Sequence, residues 1–270
     1  LSSFTDLSPE IAKIAGRFFD NNWIDAEIRN GKDSGAYAHP CVPDVHPYIL
    51  MNYSGKSRDV MTLADELGHG VHQTLASENG YLLSDTPLTL AETASVFGEM
   101  LVFQKLLSKA DTEENKKSMI AEKVEDMLNT VVRQIAFHNF ETAFHDKRKS
   151  NELMPEQISE IWMETQSQAL GDGIQLDDSY KSLWSYIPHF VHTPFYVYAY
   201  AFGDCLVNSL WQVRLSDSSN FTENYLNLLK SGGKNHHKDA LSPFGLDASD
   251  PKFWDIGLNT ISSLIDDLEK

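Results

Sequence analysis

The sequence predicts a mainly α protein with one small β element, and three observations carry that expectation. Apolar residues recur at three- and four-residue steps along most of the chain. Helix start signals such as Ser8-Pro9-Glu10 and Pro155 stand at the head of such runs. Glycine and proline, by contrast, crowd into residues 31–56, where they punctuate the short β-friendly pieces "AYAHP" and "YILMNY".

In order along the chain, residues 8–30 read as a helix with Ile11, Ile14, Ala15, Phe18 and Phe19 at helical spacing. Residues 31–56 read as an extended strand or hairpin. A helix starts near Ser57, and its stripe of Val60, Leu63, Leu67, Val71 and Leu75 faces a core. Residues 88–108 form a second helix and residues 113–149 a long third one, with Val124, Leu128, Val131, Ile135 and Phe144 inward. Pro155 opens the next, carrying Ile158, Ile161 and Trp162. "YIPHFVHTP" reads as a loop. Thr193 as N-cap and Pro194 in the first turn then open a helix through about Trp211. "SPFGLDASDP" is a turn-rich linker before a last amphipathic helix, 251–269.

Composition narrows the function classes. The formal net charge of −17 argues against nucleic acid and anionic membrane as partners. No apolar run reaches the roughly 18–20 residues that cross a bilayer. The two cysteines, Cys41 and Cys205, make no disulfide framework and fit a reducing compartment. With no signal-like start, the expected location is cytoplasmic. The chain opens at "LSSFTDLSPE" without a methionine, so it reads as a processed product or a piece of a longer protein.

The stretch "LADELGHGVHQ", residues 63–73, holds the candidate chemistry. Asp65 and His69 are four apart and share a helix face away from Leu63, Leu67 and Val71, with Glu66 between them. In an HExxH helix the two i, i+4 side chains hold Zn²⁺ and the intervening glutamate activates water. Here the first histidine is an aspartate, and a carboxylate is itself an accepted zinc ligand. The same three residues could equally be the solvated polar face of an amphipathic helix. Glu92, at the start of the next helix, offers a third ligand from a second element. Glu99, two turns on, shares its face and is either an orienting group or a surface carboxylate. In "YIPHFVHTPFYVYAY", His189 and His192 precede Tyr196 and Tyr200, which face one way, while Tyr198 faces roughly opposite. Such donors could stabilise an oxyanion; aromatics at this spacing are otherwise core.

Taken together, these stretches resemble the thimet oligopeptidase and oligoendopeptidase F group of zinc metallopeptidases, the latter branch most closely. The resemblance runs from "GRFFDNNWIDAE" through "TPLTLAETASVFGEML" and "WSYIPHFVHTPFYVYAYAFG" to "SPFGLDASDPKFWDIGL". It implies a zincin-like helical metallopeptidase catalytic domain around a deep channel that admits short unstructured peptides. One Zn²⁺ ion per chain is implied at Asp65, His69 and Glu92, with Glu66 as general base. The segment Ser34–His39 resembles the edge strand along which substrate lies, which makes Gly35, Ala36 and Tyr37 substrate contacts. His189 and Tyr200 match the transition-state groups, and His192 and Tyr196 substrate contacts.

Two departures stand out. Family members carry a longer N-terminal helical region, so residues 1–270 are expected to be the C-terminal catalytic part. Asp65 stands where the family has histidine. Its carboxylate is shorter than imidazole and negatively charged. The expected function is therefore a zinc-dependent endopeptidase impaired at its first ligand; the alternative is a catalytically inactive, metal-poor peptide-binding relative.

Overall fold

A computed structural model describes residues 1–216 and 219–270. The chain opens with α1 (Ser2–Leu7) and α2 (Pro9–Asp20). Ser8 caps α2 by accepting the backbone N–H groups of Glu10 and Ile11, with Pro9 at the first position. The helix expected over 8–30 stops at Asp20. Asn22 takes a left-handed φ of +58°, which α-helix cannot continue through. The next residues instead form β1 (Ile24–Asp25).

Residues 31–56 supply β2 (Tyr37–His39) and β3 (Tyr48–Leu50), as the glycine and proline pattern predicts. The sheet order is β1-β3-β2. β1 runs parallel to β3, with Ile24 beside Ile49, and β2 runs antiparallel, with Ala38 beside Ile49. β2 is therefore an edge strand. Tyr37 lies in it, whereas Gly35 and Ala36 precede it in a bend where Gly35 adopts φ +93°, open to glycine.

Two long helices follow, α3 (Ser57–Ala76) and α4 (Leu88–Leu107), packed along most of their length. Leu67, Val71 and Leu75 are buried in the core with Phe18, Phe97 and Leu206. The long helix expected over 113–149 is α5 (Glu113–Leu128) and α6 (Gln134–Arg148), joined by a π-helical turn at Asn129–Arg133. A wide turn shifts the helical phase. Val124 and Val131 are buried as expected, but Leu128 and Ile135, expected inward, are 41% and 40% exposed. Phe137 and Phe140 take over the inward face, in a second core with Ile161 and Trp162 of α7 (Pro155–Leu170).

Residues 186–200 depart most from expectation. His189–His192 form a single turn, α8, and α9 (Tyr198–Ser216) begins four residues after Pro194. Thr193 is not the N-cap. An N-cap is itself non-helical, so the backbone of Thr193, at φ −142°, ψ 65°, is no obstacle; what stops a helix from opening at Pro194 is the residue that follows it. Phe195 then takes φ +60°. The chain ends in α10 (Phe221–Ser231), α11 (His237–Leu241) and α12 (Pro251–Glu269), of which the sequence pattern anticipated the last. Among the described residues no helix is long and apolar enough to cross a membrane.

Candidate metal centre

Two glycines decide how closely α3 and α4 approach. A Cβ on Gly68 would fall 2.3 Å from the carbonyl oxygen of Ala94, and one on Gly98 would fall 2.9 Å from that of Ala64. Only a hydrogen at each position lets the backbones meet. This crossing sets Asp65 and His69 of α3 against Glu92 of α4. One donor atom from each of the three lies within 4.8 Å of the others. His69 Nε2 is 3.7 Å from Asp65 Oδ2 and 3.5 Å from Glu92 Oε2. Tetrahedral ligands at about 2.0–2.2 Å from a zinc ion stand roughly 3.3–3.6 Å apart, so the donor set and its spacing fit such an ion. Ser95 Oγ donates to Glu92 Oε2 at 2.8 Å and holds that carboxylate in place. Gly203 of α9 leaves room for the Glu92 stem; a Cβ there would fall 2.5 Å from Glu92 Cβ.

The electrostatics of the bare cluster are unfavourable. Burial pushes the Asp65 carboxyl well above the usual range, and the charges of Glu92, Glu66 and Glu99 push it further. Burial likewise lowers His69, against the pull of Glu92. Glu66 is buried and raised to about 7, by desolvation first and by Glu92 second, while a hydrogen bond from the Ala38 backbone opposes the shift. Its Oε2 has no hydrogen-bond partner among the described residues. A divalent cation among these acids would relieve the repulsion. Gln73 Nε2 donates to the Ala38 carbonyl at 3.1 Å, so α3 holds both the N–H and the carbonyl of one β2 residue and fixes the edge strand beside Glu66.

The aromatic cluster meets the same centre. His189 Nε2 and Tyr200 Oη are 3.1 Å apart. Tyr196 stacks on His189 at 5.8 Å and meets Tyr200 edge-on at 5.1 Å. Burial raises the Tyr200 hydroxyl, and Tyr196, Glu92 and Asp65 raise it further. Tyr196 is raised by burial and then by Glu92. The metal-site charges thus reach both phenols. Tyr198 turns away toward His138, as its spacing predicts. His192 is exposed at the end of α8.

Glu99 is half-buried and pairs with Lys123 Nζ of α5 at 2.8 Å, Lys123 itself being buried; among the described residues it makes no hydrogen bond to Asp65, His69 or Glu92. Its charge, though paired with Lys123, still helps to raise the Asp65 carboxyl. Sequence reasoning also passed over His72, one turn beyond His69. It is buried, 3.3 Å from Thr86 Oγ1, and held at about 4 by desolvation and then by His69. Its i+3 spacing from His69 was the available signal. A cavity of about 510 Å³ opens from His69 and His72 between the loops bearing Val42 and Tyr81.

The model of peptidase family M3 matches residues 8–260. Oligopeptidase PepF of Bacillus subtilis (strain 168) is 29% identical over 272 residues, covering 100% of this chain and 40% of that protein. An oligoendopeptidase F homolog of Borreliella burgdorferi is 30% identical over 275 residues, covering 100% of this chain and 46% of that one. A crystal structure from Chlamydophila abortus superposes with a TM-score of 0.82 at 30% identity, over 99% of this chain and 45% of that chain. PZ peptidase A, solved with an inhibitor, shares the fold at TM-score 0.83 and 18% identity, over 99% of this chain and 48% of that chain. The chain thus spans less than half the length of these relatives. With its helical, zincin-like fold and a match over nearly its whole length, the chain belongs to peptidase family M3.

Proposed function

We propose that this chain is the catalytic part of a zinc-dependent endopeptidase that cleaves short unstructured peptides, with Asp65 as a weakened metal ligand. One observation carries the reading: three ligand atoms from Asp65, His69 and Glu92 converge beside a buried glutamate with a free oxygen. Zinc, when bound by these three residues, supplies Lewis acidity to the scissile carbonyl and to the attacking water. The chain's own groups do the rest. Glu66, raised toward 7, takes the water's proton and passes it to the leaving amine. His189 and Tyr200, held together at 3.1 Å, donate hydrogen bonds to the developing oxyanion. Tyr37 and the bend at Gly35 and Ala36 line the approach of the substrate backbone to the β2 edge, and Tyr196 and His192 flank it. Free cysteines at 41 and 205 suit a reducing, cytoplasmic setting.

The crowding of Asp65, Glu66 and Glu92 favours one competing reading, a peptide-binding relative that holds little metal. Zinc content after metal-free purification and reloading, with cleavage of a quenched fluorescent nonapeptide, separates the two. One zinc per chain and chelator-sensitive cleavage is the expected result. Peptide binding without zinc uptake would overturn the proposal in favour of the relative.

A further inference from the structure

We infer that Glu141, a buried carboxylate on α6 far from the metal ligands in sequence, is a positioning residue for His189 and Tyr200. The inference rests on the peptidase reading above for what those two groups do. It stands on separate geometry for how they are held.

His189 opens α8 and Tyr200 lies in the first turn of α9, and they meet only because the chain reverses between the helices. Phe195 makes that reversal at φ +60°, a backbone region that side chains disfavour. Its ring does not compel the conformation: Phe195 is 44% exposed, and among the described residues its one aromatic contact is with His145 at 4.9 Å. The backbone N–H of Phe195 instead donates to Glu141 Oε1 at 2.7 Å. Glu141 is 2% exposed, and its Oε2 has no partner among the described residues. A carboxylate so buried, with so few donors, is a poor choice for packing alone. Two residues on, Val197 is wholly buried in the core with Phe137 and Trp162. Glu141 and Val197 therefore pin the turn at two successive points, one polar and one apolar. With the first released, Phe195 is free to return to negative φ, and His189 is no longer held against Tyr200.

The test uses the zinc-loaded full chain, a phosphinic peptide as tetrahedral mimic, and an uncleaved peptide of matching side chains. Glu141→Leu should weaken phosphinic peptide binding about tenfold or more. The uncleaved peptide should bind within about twofold, and kcat should fall with KM nearly unchanged. Zinc stoichiometry should stay the same. Glu141→Gln, which keeps an acceptor oxygen, should restore binding. So should Phe195→Gly added to Glu141→Leu, since glycine adopts the turn without an anchor; a packing role for Glu141 would not be rescued at residue 195. If Glu141→Leu does not fold, Glu141→Asp carries the same expectations, its carboxylate ending one methylene short of Phe195. Unchanged phosphinic peptide affinity, or failure of both rescues, would overturn the inference. If the unaltered chain neither cleaves nor binds these peptides, the peptidase reading has failed. Crystal structures of the unaltered and Leu variants then decide the positioning role: a retained His189–Tyr200 contact overturns it, and a lost contact supports it.

Discussion

Asp65, His69 and Glu92 stand on two helices of 20 residues each that touch backbone to backbone at Gly68 and Gly98. His189 and Tyr200 stand on either side of a break at residues 193–197, and their helices, α8 and α9, differ greatly in length. α3 and α4 pack into the larger core around Phe97 and Leu206, whereas Tyr200 packs against the smaller one around Phe140 and Trp162. A metal site needs donors fixed within a few tenths of an ångström, and two interlocked helices supply that rigidity. Groups that meet charge only as it develops can sit on a turn, provided something fixes the turn. The two regions should therefore fail differently: the metal half through sterics at its crossing, the aromatic half through loss of anchors.

The largest expected effect separates chemistry from metal retention within the first half. Glu66→Gln should lower peptide cleavage on the order of 10³-fold, about 4 kcal/mol, while zinc content stays unchanged. Loss of zinc in this variant would make Glu66 part of the metal's support, not a base beside it. Next comes the crossing itself. Gly68→Ala drives a methyl into the Ala94 carbonyl, so urea unfolding should show a loss of about 3 kcal/mol and dialysed protein should lose zinc. Gly173, beyond α7 on the aromatic side, is open: a Cβ there would meet nothing within 4 Å. Gly173→Ala should change stability by less than about 0.5 kcal/mol. Equal effects at the two glycines would erase the contrast.

Asp65→His sharpens the comparison from the other direction. Two carboxylates on one zinc ion leave no net positive charge, and the charge of Glu66 lies close by. A neutral imidazole removes one repulsion and gives zinc the softer donor it favours. Zinc affinity, measured by competition with a chromogenic chelator, should rise at least about tenfold, some 1.4 kcal/mol. The His189–Tyr200 contact should not change. Equal affinity would mean that Asp65 serves as well as histidine.

The metal half was the more legible in the sequence, for a physical reason. Residues four apart on a helix share a face whatever surrounds them, so Asp65 and His69 could be paired from spacing, and the apolar stripe of α3 gave the buried side. Tyr196 and Tyr200 were paired by the same rule although α9 begins only at Tyr198; the i, i+4 relation survives because Ala199 and Tyr200 donate backward to Tyr196 and Val197 carbonyls. What stayed hidden depends on partners distant along the chain. That Gly68 and Gly98 mark a helix crossing needs the facing backbone. Glu141 gives no local signal, since its partner is a backbone N–H 54 positions away. The helix starting at residue 8 ends at Asp20, before Asn22, whose left-handed φ is one that asparagine adopts more readily than most residues, whereas the positive φ of Phe195 runs against residue preference and depends on tertiary fit.

A smaller effect than those at Gly68 and Asp65 lies on α9, the helix that carries Tyr200 at one end and packs behind the metal half along its length. Asp204 is buried there, accepting a hydrogen bond from Asn208 Nδ2 at 2.8 Å. Burial raises its carboxyl to about 6, Glu99 adds to the shift, and Lys123 and Asn208 oppose it. The sign follows from linkage. An unfolded aspartate loses its proton near pH 4, so between about 4 and 6 the folded chain keeps a proton that the unfolded chain has released. Stability is then highest below that window and falls as pH rises through it. Asp204→Asn removes the ionisation and keeps both the shape and an acceptor for Asn208. At pH 7.5 the variant should be more stable by about 1 kcal/mol, and the difference should vanish near pH 4. Urea unfolding at both pH values measures it. A variant less stable at pH 7.5 would mean that the attraction of Lys123 outweighs the burial of Asp204. The pair Glu99–Lys123 would then need Asp204 as its third member, and the charge behind the metal half would be a balanced network.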